Sequence, residues 1–131
     1  MGLAISDPGY WMERTNIVHE MNKLYRGCLL YLRDSEKDIK GYFKNSDKLL
    51  NLLINPKDSE YIWMNRSDDV DRLIRKLEEV RPILEMMPSK GVGLEDAERA
   101  KMVLDEIISY LMTELYRDWR REVKFWIDLT L

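Results

Sequence analysis

Apolar residues recur three or four apart along most of the chain, and strand-like alternation occurs nowhere, so the pattern predicts helices alone. Asp7-Pro8 reads as a helix cap followed by proline at the first helical position, opening a helix that runs to about Arg33. Within it Trp11, Val18, Tyr25 and Leu32 recur every seven residues, Met21 and Cys28 fill the interleaved positions, and Tyr10, Ile17, Leu24 and Tyr31 flank them. So wide a stripe suits a bundle and not a narrow coiled-coil seam. Asp34-Ser35 offers a stop and a new cap, after which Ile39, Phe43, Leu50 and Leu53 carry a helical period to Ile54, with Asn45-Ser46-Asp47 as a potential break. Asn55 precedes Pro56 and is pushed out of the helical region.

Tyr61-Ile62-Trp63-Met64 falls in a connection or a short helical turn. Ser67 caps a third helix with Val70, Leu73, Leu77, Val80, Leu84 and Met87 on one stripe, and Pro82 is expected to kink it or end it after Val80. Pro88 to Gly93 forms a turn. From Leu94 a long helix places Ala97, Ala100, Leu104, Ile108, Leu111, Leu115, Trp119, Val123 and Trp126 on its buried side. The lengths come to roughly 40 to 50 Å for the first and last helices and about 30 Å for the middle two. The expected fold is all-α, an antiparallel up-down-up-down four-helix bundle with long first and last helices, filling a single domain over residues 1–131.

Composition narrows the chemistry. The 131 residues carry 24 acidic and 21 basic side chains, and a net charge of -3 speaks against non-specific coating of nucleic acid. One cysteine, Cys28, and one histidine exclude an internal disulfide and a Cys/His zinc site within one chain. The longest apolar run, residues 28–32, is far too short to cross a membrane, and no signal segment opens the chain, so a soluble cytoplasmic protein is expected. Met1-Gly2-Leu-Ala-Ile-Ser6 fits the N-myristoylation pattern, but one acyl chain without a basic cluster holds a membrane only marginally. Asp68, Asp69 and Asp71, like Glu95, Asp96 and Glu98, open helices and complement their dipoles. The E-x-x-H arrangement of bundle metal sites is absent, and neither a metal nor a cofactor is expected.

Arg14-Thr-Asn-Ile-Val-His19 has the R-x4-H spacing, followed by Glu20. It resembles the signature of HEPN-type helical ribonucleases, in which arginine and histidine from two protomers meet at a dimer interface. The resemblance implies a dimeric, metal-independent ribonuclease with His19 as acid and base and Arg14 stabilising the phosphorane. Here the motif lies on the first helix and is followed by Met21 where the family commonly has tyrosine. Residues five apart on a helix point roughly 140° apart, so only a partner chain brings the two together. The structural alternative is an exposed histidine one position past Val18.

Arg117, Arg120, Arg121 and Lys124 fall within an arc of about 100°, opposite Leu115, Trp119, Val123 and Trp126. This basic stripe suits an acidic partner or phosphates, or serves as a solvated face at a helix end. In the expected topology Trp11, Trp63, Trp119 and Trp126, with Tyr10, Tyr61 and the basic stripe, share one pole, as a secondary core or a docking surface. Met12, Leu29 and Leu30 on the first helix, with Met86 on the third, are apolar surface left over from the stripes; the first three are expected as oligomer contacts, with scattered surface hydrophobes as the alternative. The functional expectation is a non-catalytic helical assembly or adaptor protein that binds a protein partner or its own copies as a dimer or larger, with a place as an accessory subunit beside nucleic acid left open.

Overall fold

The computed structural model describes residues 8–55, 63 and 67–130. It contains α1 (Pro8–Arg33), a 3-10 turn (Lys40–Phe43), α2 (Ser46–Ile54), α3 (Asp68–Met86) and α4 (Leu94–Thr130), with no strand among the described residues. This is the expected all-α bundle with long first and last helices. The proposed cap Asp7 and the acylation pattern at Gly2 lie outside the described residues, as does Tyr61.

The central pairing is α1 against α4. Buried positions on α1 are Tyr10, Arg14, Ile17, Met21, Leu24, Cys28 and Tyr31, spaced alternately four and three apart, with Val18 and Gly27 beside them. On α4 the matching series is Ala97, Ala100, Leu104, Ile107, Leu111 and Glu114. Two contacts at one end, Tyr10 with Asp118 and Arg14 with Glu114, fix the helices as antiparallel. At the other end the Tyr31 hydroxyl donates to the Val92 carbonyl and accepts from the Val92 N–H, at 2.5 and 2.8 Å. The register between these fixed points brings Ile17 level with Leu111, Met21 with Ile107, Leu24 with Leu104 and Cys28 with Ala100, all buried. Such alternating spacing lets side chains interdigitate at a shallow crossing angle. The α1 stripe is therefore centred on the residues expected to flank it, while Trp11, Tyr25 and Leu32 are half-buried.

The helix α3 packs along the other side of α4 and buries Val70, Leu73, Leu77, Val80 and Leu84 as its spacing predicts. Its cap also holds: the Ser67 hydroxyl accepts from the Val70 N–H at 3.4 Å. Pro82 neither ends the helix nor marks its boundary, because α3 continues to Met86. Proline deprives the Glu78 carbonyl of its donor, but both residues are exposed, so the bond is lost on the solvent side of the helix, while buried Ile83, Leu84 and Met87 hold the last turn in place. After it Gly91 adopts φ 78°, and the Gly91 N–H bonds to the Met86 carbonyl, which turns the chain into α4.

The second expected helix is divided. Asp34 and Asp38 accept backbone N–H bonds from Glu36 and Lys40, Ser46 bonds to the Phe43 carbonyl, and only nine residues are α-helical. At 1.5 Å per residue α2 is about 13 Å long, well short of the expected 30 Å. Local side-chain bonds compete with helix along this stretch. Asn55 closes α2 as expected, with its N–H on the Asn51 carbonyl. The order of elements agrees with the expected bundle, and the contacts fix the antiparallel relation of α1 and α4.

Gly27 admits the 3-10 turn onto α1. A Cβ there would stand 2.6 Å from a Phe43 ring carbon and 2.8 Å from the Tyr42 Cβ. Gly27→Ala raises helix propensity and should still destabilise the protein by about 1–3 kcal/mol through overpacking. Urea unfolding of the two proteins measures this, and an equal or higher midpoint in the variant contradicts the packing argument.

Candidate functional site: the polar layer and the projecting end of α4

Where α1 begins, the apolar seam gives way to a polar layer. Arg14 is only 2% exposed, and its Nη1 donates to Glu114 Oε1 at 3.1 Å. The other carboxylate oxygen accepts from the Tyr110 hydroxyl at 3.3 Å and from Arg117 at 3.5 Å. One turn further, Asp118 accepts from the Tyr10 hydroxyl and lies 3.7 and 3.8 Å from Arg117 and Arg121. The Arg14 guanidinium also sits over the Tyr10 ring, 5.3 Å from its centroid. Arg14 and Glu114 hold positions of the seam that elsewhere carry apolar side chains, and they satisfy each other there.

This geometry assigns Arg14 to the core. His19 is exposed, so α1 does not bring the two R-x4-H side chains together, and the arginine is committed to Glu114. The ribonuclease-like pattern is thus matched in spacing, with its arginine packed inside. Sequence spacing missed Glu114, Tyr110 and Asp118; the available signal was a charged residue on each of two otherwise apolar heptad series.

Past this layer α4 runs on alone among the described residues. Asp118 lies opposite Tyr10, close to the start of α1 at Pro8, yet α4 continues to Thr130, roughly 15 Å further. The expected buried stripe fails here. Leu115 is half-buried, whereas Trp119 and Trp126 are each 53% exposed, and Val123 is exposed as well. The face that carries Trp119 points away from α1, and no described helix reaches far enough to cover Val123 and Trp126. The exposed series Met112, Tyr116, Trp119, Val123 and Trp126 alternates four and three apart, rotated by roughly 100° from the buried seam. It is a second seam with nothing described against it. Tyr116 and Trp119 stack at 5.9 Å, and Ile127 widens the stripe.

The basic residues divide by their partners. Arg117 and Arg121 are tied to Glu114 and Asp118. Arg120 lies over the Tyr116 ring at 5.9 Å, and neither it nor Lys124 makes an ion pair among the described residues. Both border the shallow groove formed by Tyr116, Trp119, Val123 and Ile127.

The other tryptophans behave differently. Trp63 is buried, donates to the Leu53 carbonyl at 2.8 Å and packs 6.0 Å from the Tyr110 ring, so it closes the bundle end. Trp11 is half-buried with its edge against Tyr10. The expected pole therefore splits into a small core around Trp63 and an exposed surface around Trp119 and Trp126. Of the remaining apolar candidates, Met12, Leu29 and Met86 are exposed and scattered, whereas Leu30 is half-buried against the core. Among the described residues no three His, Cys, Asp or Glu side chains gather as a metal site requires, and no helix is long and apolar enough to cross a membrane. No family model, no characterised protein and no solved structure matches this chain.

Two measurements probe the polar layer. Glu114→Ala strands a buried guanidinium and should cost about 3–5 kcal/mol, whereas the joint change Arg14→Leu with Glu114→Leu should recover most of that loss. Urea unfolding of the single and double variants decides it; a double variant no more stable than Glu114→Ala contradicts the account. Burial, and then the bond to Asp118, push the Tyr10 phenol well above its ordinary value of 10.0. Below pH 10 the phenol is neutral in both states and its contribution is intact. Above pH 10 the unfolded chain loses this proton while the folded chain keeps it, so stability falls as pH rises. Tyr10→Phe should show a shallower alkaline decline in unfolding midpoint, and an identical slope contradicts the assignment.

Proposed function

We propose that the protein is a non-catalytic assembly module that holds a protein partner, or a further copy of itself, on the projecting end of α4. The observation that carries this reading is the exposed aromatic seam of Tyr116, Trp119 and Trp126 on a helix whose earlier turns bury a continuous face from Ala97 to Glu114. Large contiguous apolar surface is costly to leave in water and marks interaction sites, and tryptophan, tyrosine and arginine dominate binding energy where partners meet. Each aromatic ring can bury roughly 150–250 Å². The stripe thus offers on the order of several hundred Å², comparable to the share of about 800 Å² that one partner gives to a specific interface.

The chemistry of the other surfaces supports the same choice. The groove between α1 and α2, bordered by Asn16, Ile17, Glu20, Lys48, Leu49 and Leu52, joins one carboxylate and one amine to an apolar floor and suggests no reaction. Nucleic acid is not part of the reading: two of the four cations on the extension are neutralised by Glu114 and Asp118, and the chain carries a net charge of -3.

Sedimentation equilibrium from about 10 to about 500 µM tests the proposal, a range that reaches weak association. Wild type should exceed monomer mass at the upper end. The variant Trp119→Glu with Trp126→Glu should remain monomeric, bind less of an apolar dye and unfold within about 0.5 kcal/mol of wild type, as exposed positions do. The reading falls if the double variant matches wild type in both mass distribution and dye binding.

A further inference from the structure

The assembly reading leaves the partner's chemistry open, and the charges beside the exposed seam bear on it. On the helical wheel Tyr116, Trp119, Val123, Trp126 and Ile127 share one face, and Arg120 and Lys124 border it on a single side. Both cations lack an ion-pair partner among the described residues, in contrast to Arg117 and Arg121. On the other border stand Leu115, Glu122 and Leu129. The Glu122 carboxylate accepts from the Trp126 indole N–H at 3.4 Å and is half-buried.

A second copy of the chain fits this pattern poorly. Antiparallel pairing of two extensions keeps the bundle bodies apart, but it sets like border against like border. Arg120 of each copy would then face its own counterpart near the symmetry axis, and Glu122 would do the same. Parallel pairing continues the seam backward to exposed Asp105, where carboxylate meets carboxylate, and brings the bundle bodies side by side. Self-association through this face is therefore weak and opposed by charge. An apolar helix with carboxylates along one border meets no such opposition, since that border pairs with Arg120 and Lys124, its uncharged border lies along Glu122, and its apolar face covers the aromatic seam.

We propose that the groove of Tyr116, Trp119, Val123 and Ile127, with Arg120 and Lys124 on its rim, is the docking site for an acidic amphipathic helix of a partner protein. This inference rests on the assembly reading and gives that reading a partner class. It separates the two modes of contact by their response to salt. Screening weakens attraction between the cations and an acidic helix, and it relieves the repulsion that opposes pairing of two copies.

The test uses the full chain and a fluorescent amphipathic peptide of about 18 residues, with leucines at i, i+3, i+4 and i+7, glutamates along one border and uncharged polar residues along the other. Its counterpart replaces every glutamate by lysine. Fluorescence anisotropy should show the acidic peptide binding at least tenfold more tightly than the basic one, a difference of about 1.4 kcal/mol. Raising salt from about 50 to about 500 mM should weaken peptide binding and strengthen self-association measured in the same buffers. Arg120→Glu with Lys124→Glu should reduce acidic-peptide affinity at least tenfold, whereas Arg75→Glu on the exposed side of α3 should leave it unchanged. Vesicles containing phosphatidylserine and a single-stranded oligoribonucleotide complete the set.

Equal affinity for the two peptides, indifference to the charge reversal, or tighter binding of vesicles or oligonucleotide than of the acidic peptide overturns the inference. If the Trp119 and Trp126 variant loses self-association and dye binding while the peptides bind alike, the assembly reading stands and this inference falls. If that variant matches wild type and no peptide binds, both fall.

Discussion

The antiparallel contact of α1 with α4 is the constraint from which the rest of the structure follows. Its apolar positions alternate three and four apart on both helices, so several registers would bury comparable surface if the seam were uniform. The Arg14–Glu114 pair removes that ambiguity. Shifting either helix by one turn would leave a guanidinium or a carboxylate inside without its partner, at a cost of several kcal/mol. Tyr10 on Asp118 repeats the choice one turn further out, and Tyr31 on Val92 secures the opposite end. A buried polar pair adds little net stability and contributes specificity instead, as polar residues do in coiled-coil seams.

Fixing this register also decides where the bundle stops. Because Tyr10 stands opposite Asp118 and α1 starts at Pro8, the remaining residues of α4 lie beyond the reach of α1. There α4 changes character. The buried face carries charge at Glu114 and Asp118, and most of the apolar residues, Phe125 and Leu129 excepted, move by roughly a quarter turn or more onto a face directed away from the bundle. Packing among the described residues leaves two tryptophans half-exposed on that face. A partner docked there, as proposed above, would cover them, and the division of the nearby arginines into paired and unpaired groups would give that contact a sign of charge. The polar layer and the proposed docking surface are thus adjacent consequences of one register.

The short second helix has a related cause. Gly27 lets Phe43 and Tyr42 approach the α1 backbone, and that close approach uses the 3-10 turn as a wedge where a regular helix would be held further away. Phe43 and Ile39 join the core from this wedge, so the region contributes to packing without contributing helix length.

Helix content, the stripe of α3, the Ser67 cap and the turn before Leu94 were legible in the residues, because each depends on local spacing and capping chemistry. The R-x4-H spacing and the basic stripe were legible too, but their meaning was not. Spacing along one helix gives angles around that helix; it does not say which angle faces a neighbour, so Arg14 read as available and Trp119, Val123 and Trp126 read as buried. Those assignments depend on residues some hundred positions away in sequence and on where a second helix begins. By itself the sequence determined that the chain forms an all-α bundle from amphipathic helices with long first and last members. Only the tertiary structure decided which charges are core and which aromatics are surface, because burial is set by the register and relative length of two helices brought together in space.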